Sequence, residues 1–278
     1  MFPCSRVVRI RQIDLHYCEW GSPTNPPLLL LHGGSAHAHW WDHLAADLAQ
    51  AYRVLALDLR GHGDSAWVTP SAYEIEDYVT DLEAFVSTLS LAPLTLLGHS
   101  LGGFIALTYA SVHTEALRAL VVVDMGSRLR QSRRLRLLSR LPAPIYQDEE
   151  DLRRRFRLLP PETRAPSSLL HEIARHGVRR LPDGRLTPKF DRATLIRGPR
   201  DLTASLSRIA CPILFLRGSE SQHISATTLA EMATLCPQAR GLDIPDAGHH
   251  LFLDHPVAFL HAVRSFLHDI TEEITCKT

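Results

Sequence analysis

The 278-residue sequence is poor in cysteine and has no long apolar segment. Its five cysteines, at positions 4, 18, 211, 236 and 276, are an odd number without a Cys-x-x-Cys pair, so we expect reduced thiols. No run approaches the roughly 20 apolar residues of a membrane span. Charges interrupt the first ten residues, where a signal peptide needs an apolar core, and we therefore expect a cytoplasmic protein.

The sequence also lacks a net charge. Its 30 basic and 30 acidic residues give a formal charge of zero. This balance argues against a nucleic-acid surface spread over the whole chain. The length suffices for one large α/β domain or two small ones, each with a sizeable core.

The most informative segment is residues 94–103, where an apolar run leads into Gly-His-Ser-Leu-Gly at 98–102 and then into a helical pattern. This order is typical of a nucleophile elbow, a sharp turn that holds a serine hydroxyl within reach of a base. We expect Ser100 at its apex, with Gly98 and Gly102 where a Cβ atom does not fit. The alternative is a glycine-rich turn with an incidental serine.

Short apolar segments alternate with helical patterns along most of the chain. Continuous apolar runs of this kind are typical of parallel strands that are covered on both faces. The alternation predicts a mostly parallel sheet with helices on both faces, preceded by a hairpin. The predicted strands are residues 6–10, 13–20, 28–31, 53–57, 94–97, 119–123, 212–216 and 241–244.

A glycine pair, Gly33 and Gly34, closes the apolar strand at 28–31. Glycines at the end of such a strand leave backbone N–H groups open to a ligand, and acyl transfer requires donors of this kind for its oxyanion. Gly34 is therefore a candidate oxyanion donor. The alternative is a tight strand-to-helix turn without a catalytic role.

The histidine-rich segment at 37–43 resembles a binuclear zinc signature, but Trp41 adds one residue to the required spacing. No later histidine cluster supplies the other ligands, and we expect no metal. The segment instead predicts the start of an amphipathic helix with Trp40, Leu44 and Leu48 on one face. Trp40 is also a candidate substrate contact.

Two polar positions follow predicted strands in the order that a hydrolytic site would need. Asp124 comes directly after the strand at 119–123, and a Gly-His-His turn at 248–250 follows the last strand. Because active sites of open α/β sheets gather at the carboxyl ends of strands, we expect Asp124 beside the strand that carries Ser100.

Residues 127–200 differ in character from the rest of the chain. Nineteen basic residues stand against eight acidic ones, a net formal charge of +11. Periodic leucines broken by prolines predict short helices and hence an inserted helical cap. We expect core residues 1–126, a cap at 127–205 and core residues 206–278. The basic residues either attract an anionic substrate or surface, or pair with the acidic body as a solvated face, which is the commoner case.

In their order, these motifs resemble the α/β-hydrolase superfamily, specifically its capped, cofactor-independent serine hydrolases. The resemblance extends over essentially the whole chain and implies an eight-stranded sheet, a helical cap, no cofactor and a small ester-like substrate. It leaves the oligomeric state open. The motifs that carry it are residues 32–34, 58–63, 98–102 and 247–249.

The resemblance also implies roles for individual residues. Ser100 attacks a carbonyl, and His249 takes its proton and later returns it to the leaving group. The backbone N–H groups of Leu101 and Gly34 hold the oxyanion. His250 is the alternative base, but the family places its histidine directly after the glycine.

The sequence departs from the family at the position that usually supplies the acidic residue of the catalytic triad. Ser221 stands three residues after Gly218, where the family usually has an aspartate. Two acids remain, Glu220 and Asp124. A triad needs a carboxylate that orients the imidazole, whichever strand supplies it, and we favour Asp124.

Three functions fit these residues. The first is hydrolysis of a small or medium carboxylic ester, lactones included. The second is hydrolysis of a carbon–carbon bond in a diketo acid whose carboxylate binds cap arginines. The third is a ligand receptor that has kept the fold and lost turnover. Ser100 excludes the mechanism of epoxide hydrolases and dehalogenases, which need an aspartate at the elbow.

Overall fold

An eight-stranded sheet runs through the centre of the computed structural model, which describes residues 2–275 and side chains through residue 272. Cys276 lies outside the described residues, and Cys4, Cys18, Cys211 and Cys236 are free thiols. The first strands are β1 (Cys4–Ile10), β2 (Ile13–Trp20), β3 (Pro27–Leu31), β4 (Arg53–Leu57), β5 (Leu94–His99) and β6 (Leu117–Val123). The helices between them are α1 (Asp42–Leu48), α2 (Ile75–Thr88) and α3 (Leu101–Val112).

The segment between β6 and the next strand of the large sheet, residues 124–212, combines short helices with two small two-stranded sheets. Its elements are β7 (Arg128–Leu129), α4 (Arg133–Arg140), α5 (Glu149–Arg155), α6 (Ser167–His176), β8 (Val178–Arg180), β9 (Leu186–Pro188) and β10 (Arg200–Asp201). Leu152, Phe156 and Leu159 have the spacing of one helical face and predict one short helix, but α5 ends at Arg155 and leaves Phe156 and Leu159 outside it. Leu159 lies outside the helix because it precedes Pro160, and the residue before a proline avoids helical geometry.

The chain then returns to the large sheet and closes on its longest helix. The remaining elements are β11 (Ile213–Gly218), α7 (Ala226–Leu235), β12 (Ala239–Ile244), α8 (Leu251–Asp254) and α9 (Pro256–Thr275). The strand order is β1-β2-β4-β3-β5-β6-β11-β12. Only β2 runs antiparallel to its neighbours β1 and β4 within this sheet. The predicted hairpin and mostly parallel sheet are confirmed.

Strand β3 shows why its run of leucines is continuous. Leu29 and Leu31 pack into the core on one face of the sheet, whereas Leu28 and Leu30 pack into the core on the other. All four are fully buried. Burying one leucine contributes about 1.5–3 kcal/mol, so both faces of this strand stabilise the fold.

The carboxyl edge of the sheet brings the candidate site residues together. In the parallel pairing of β5 and β6, His99 lies opposite Val123, so Ser100 and Asp124 follow these two strands at the same level. Leu31 of β3 lies opposite Gly98 on the other side of β5. The loops after β3, β5 and β6 therefore meet at one place.

The charged side chains of residues 124–212 pair partly with the body of the protein and partly with one another. Arg164 binds Glu220, and Arg200 binds Glu76. Arg153 binds Glu150 within α5. The predicted solvated and paired face is thus present, although several of its ion pairs are internal to the segment.

A search of residues 2–275 found no helix with both the length and the apolar character needed to cross a membrane.

Candidate active site

The turn between β5 and α3 has the geometry of a nucleophile elbow. Ser100 has φ 51° and ψ −116°, a left-handed conformation that a non-glycine residue adopts at a cost. A Cβ atom at Gly98 would lie 2.3 Å from the carbonyl oxygen of Gly102, and one at Gly102 would lie 2.5 Å from that of Leu31. Both glycines are therefore required by the close approach of backbone segments.

Asp124 lies directly after β6 and is completely buried. Its Oδ2 accepts a hydrogen bond from Nδ1 of His249 at 2.7 Å and a second one from the Ser221 hydroxyl at 2.6 Å. Its Oδ1 accepts from the backbone N–H of Gly218 at 3.2 Å. These partners fix the carboxylate and, through it, the ring of His249.

Glu220, the alternative acid, lies elsewhere. Its carboxylate is about half exposed and accepts two hydrogen bonds from Nη2 of Arg164, at 2.7 and 2.8 Å. The structure therefore brings Asp124, and not Glu220, to His249. Sequence reasoning missed the contact of Ser221 with Asp124, although the position of Ser221 three residues after Gly218 pointed to this region.

His250, the alternative base, does not line the cavity that contains Ser100. Its Nε2 donates to the carbonyl oxygen of Pro160 at 2.9 Å, and its ring lies edge-on to Trp40 with centroids 5.4 Å apart. Trp40 is buried and lines a cavity of about 380 Å³. That cavity shares Arg134 with the one that contains Ser100.

Ser100 and His249 line a common cavity of about 310 Å³. Gly34 and Leu101 line it as well. Within residues 2–275 neither of their backbone N–H groups donates to another protein group, which leaves both free for a ligand oxygen. Most of the remaining lining is apolar: Met125, Leu129, Leu135, Leu159, Pro160 and Leu195.

Burial governs the ionisation of the Asp124–His249 pair. It raises the pKa of Asp124 to about 6, although the hydrogen bonds from Ser221 and Gly218 oppose this. Burial, together with the nearby rings of His223 and His250, lowers the pKa of His249 well below its usual value. Near neutral pH the carboxylate is therefore ionised and the imidazole neutral, as a general base must be.

Two further histidines contact His249, and sequence reasoning did not identify them. Nε2 of His99 donates to the carbonyl oxygen of His249 at 2.9 Å. The ring of His223 lies edge-on to that of His249, with centroids 3.8 Å apart, and lines the cavity. Because His99 directly precedes Ser100, this hydrogen bond ties the loop of His249 to the elbow.

One cluster of ligand-type atoms lies in the histidine-rich segment. One ligand atom each of His39, Asp42 and His176 lies within 4.8 Å of the others. The rings of His39 and His176 stack at 3.8 Å with an angle of 17° between their planes. Because imidazole lone pairs lie in the ring plane, stacked rings direct them side by side and not toward one ion. This arrangement does not fit a tetrahedral metal site.

A second cluster contains His16, Asp58 and Asp64. The Asp58 carboxylate already accepts hydrogen bonds from Nδ1 of His16 at 2.7 Å and from the N–H groups of Ala38 and Asp64 at 2.6 and 2.9 Å. These bonds hold the loop after β4, so the cluster has a structural role.

Comparison with known proteins identifies related sequences and a related structure. The sequence profile described as the alpha/beta hydrolase fold matches residues 26–256. The 2-(acetamidomethylene)succinate hydrolase of Mesorhizobium japonicum is 28% identical over 267 residues, which cover 95% of each chain. An esterase of Mycobacterium tuberculosis is 27% identical over 272 residues, covering 95% of this chain and 90% of the relative.

A solved structure extends the likeness to the fold. The crystal structure of E-2-(acetamidomethylene)succinate hydrolase matches with a TM-score of 0.82 and 26% identity, covering 96% of this chain and 99% of that one. The resemblance to the α/β-hydrolase superfamily is thereby confirmed. Since the family profile spans well over half of its sequence, the chain belongs to the alpha/beta hydrolase fold family.

Proposed function

We propose that the chain is a serine hydrolase that cleaves a carboxylic ester through an acyl-enzyme on Ser100. The observation that carries the proposal is the buried Asp124–His249 hydrogen bond at the cavity that Ser100 lines. The relatives named as hydrolases, an esterase among them, support it.

The mechanism begins with proton transfer. Nε2 of His249 takes the proton of the Ser100 hydroxyl while the oxygen adds to the ester carbonyl. Asp124 holds Nδ1–H of His249 and stabilises the imidazolium that forms. His249 then gives the proton to the departing alkoxide, and the acyl group remains on Ser100.

The developing oxyanion is stabilised by backbone donors. Gly34 and Leu101 line the cavity, and within residues 2–275 their backbone N–H groups donate to no protein group. Leu101 begins α3, so the partial positive charge of the helix N-terminus adds to its N–H. Water then attacks the acyl-enzyme with His249 again acting as the base.

The cap belongs to the same proposal. Leu129, Leu135 and Leu195, which line the cavity, come from residues 127–205. In the proposal this cap excludes water and shapes the acyl site, while residues 1–126 and 206–278 carry the reacting groups.

The cytoplasmic location expected from the sequence is part of the same proposal.

A fluorophosphonate probe tests the proposal directly. We expect covalent labelling of the native protein and none of Ser100→Ala, with hydrolysis of aryl esters falling on the order of 10⁶-fold in the variant. Circular dichroism checks that both are folded. A folded protein that is neither labelled nor active on esters contradicts the proposal and favours the receptor. Turnover of ring-cleavage diketo acids without ester turnover favours the carbon–carbon hydrolase.

A further inference from the structure

The cavity that contains Ser100 is also lined by a half-buried cation, Arg197, that forms no ion pair within the described residues. Arg197 lines it, and its Nε and Nη2 atoms are shielded from solvent and have no hydrogen-bond partner within the described residues. Burying a charged donor without an acceptor is costly, and native proteins rarely leave one unpaired unless a ligand completes it.

Three acidic residues within four positions of Tyr78, against which Arg197 lies, already have partners. Asp81 accepts from Nε of Arg60 at 2.6 Å, and Asp77 lies 3.6 Å from the same guanidinium. Glu74 accepts from the backbone N–H of Gly198 at 2.9 Å. The charge of Arg197 instead lies against an aromatic ring, with Cζ 6.0 Å from the centroid of Tyr78.

The guanidinium is held close to the proposed site of bond cleavage. Nη2 of Arg197 is 3.8 Å from the position that a Cβ atom at Gly34 would occupy, and Gly34 is a proposed oxyanion donor. The backbone N–H of Arg197 donates to Oε1 of Gln131 at 3.1 Å. This bond and the neighbouring Gly198–Glu74 bond fix the loop on both sides.

We propose that Arg197 binds a carboxylate of the substrate, so that the enzyme acts on esters that carry a negative charge near the scissile carbonyl. The inference rests on the proposed function and specifies its substrate class. Nε and Nη2 are the pair of donors on one edge of a guanidinium, and their spacing matches the two oxygens of a carboxylate. Arg134, exposed at the same cavity, adds a positive field that attracts such a substrate.

A pair of substrates that differ in charge alone tests the inference. The para-nitrophenyl monoester of glutarate and the para-nitrophenyl ester of pentanoate have acyl chains of nearly the same length and shape. We expect the native enzyme to have a higher kcat/KM for the glutarate ester. In Arg197→Met we expect kcat/KM for the glutarate ester to fall about 10- to 100-fold, and that for the pentanoate ester to change by less than about threefold.

Two further variants make the test specific. Arg133→Met removes an exposed positive charge of α4 that does not line the cavity, and we expect it to leave the preference for the glutarate ester intact. Arg197→Lys keeps the charge but loses the paired donors, and we expect an intermediate loss on the glutarate ester. If Arg197→Met does not fold, kcat/KM of Arg197→Lys for the same two esters tests the inference instead.

The outcomes separate the two proposals. Ester turnover with fluorophosphonate labelling, but with no preference for the charged ester or with equal losses on both esters in Arg197→Met, overturns the inference and leaves the esterase function standing. Absence of both labelling and turnover overturns the proposed function itself.

Discussion

Helices α3 and α4 represent two differently built regions of the molecule. Ten of the twelve residues of α3 are buried, whereas none of the eight residues of α4 is. The first belongs to the sheet and its covering helices, and the second to the basic segment at residues 127–200. The proposed reacting groups thus lie on the tightly packed region, and the residues that we propose to select the substrate lie on the open one. We therefore expect mutations to change catalysis and substrate selection separately.

The largest effect is expected to separate the two acids, buried Asp124 and exposed Glu220. Asp124→Asn should lower kcat about 10⁴-fold, because the amide does not stabilise the imidazolium of His249. Glu220→Gln should leave kcat nearly unchanged, because it loses only an exposed ion pair with Arg164. Steady-state kinetics on one aryl ester measures both. The reverse order would transfer the role of the acid to Glu220.

Glycines of the two regions should differ in stability. Gly98→Ala should destabilise the fold by more than about 3 kcal/mol, because the new Cβ atom meets rigid backbone. Gly184→Ala should cost only about 1–2 kcal/mol, since the residue has φ +89° but open space around it. Urea denaturation of both variants gives the comparison, and equal losses would contradict the close packing at the elbow.

The smallest expected effect is a change in pH dependence. Burial raises the pKa of Asp124 to about 6, so the carboxylate is ionised above that pH and protonated below it. We expect kcat/KM to fall as the pH decreases through about 6. Ser221→Ala removes a hydrogen bond that lowers the pKa of Asp124, so this decline should move to higher pH.

Glu220→Gln serves as the control for the pH profile. Its exposed side chain does not contact His249, so its profile should match that of the native enzyme. A profile of Ser221→Ala that coincides with both would show that the hydroxyl does not act on the ionisation of Asp124.

The fold was predictable because apolar runs such as residues 28–31 are continuous only when both faces of a strand are covered. The elbow was predictable because its glycines and serine are neighbours in sequence. The choice between Asp124 and Glu220 as the partner of His249 could not be made from local sequence. It depends on the pairing of β6 with β11, which decides which carboxylate meets His249. The hairpin of β8 and β9 was missed because its three-residue strands are too short for a periodic signal.

Arg197 was equally beyond sequence reasoning. The basic segment has eighteen arginines, and nothing in their spacing distinguishes this one from the rest. It is singled out only by the folded arrangement, in which Asp77 and Asp81 are taken by Arg60 and the loop that carries Arg197 is tied to Gln131. Partner choice among many like charges is a property of tertiary structure.

The backbone conformation at the elbow sets a trade-off for this enzyme. A residue with a side chain at φ 51° raises the free energy of the native state by about 1–2 kcal/mol, a cost that glycine avoids. Ser100→Gly should therefore resist heat better than the working enzyme while losing its reactivity. Selection for thermal stability alone would favour the glycine and remove the proposed nucleophile, so under the proposed function Ser100 is retained at a cost in stability.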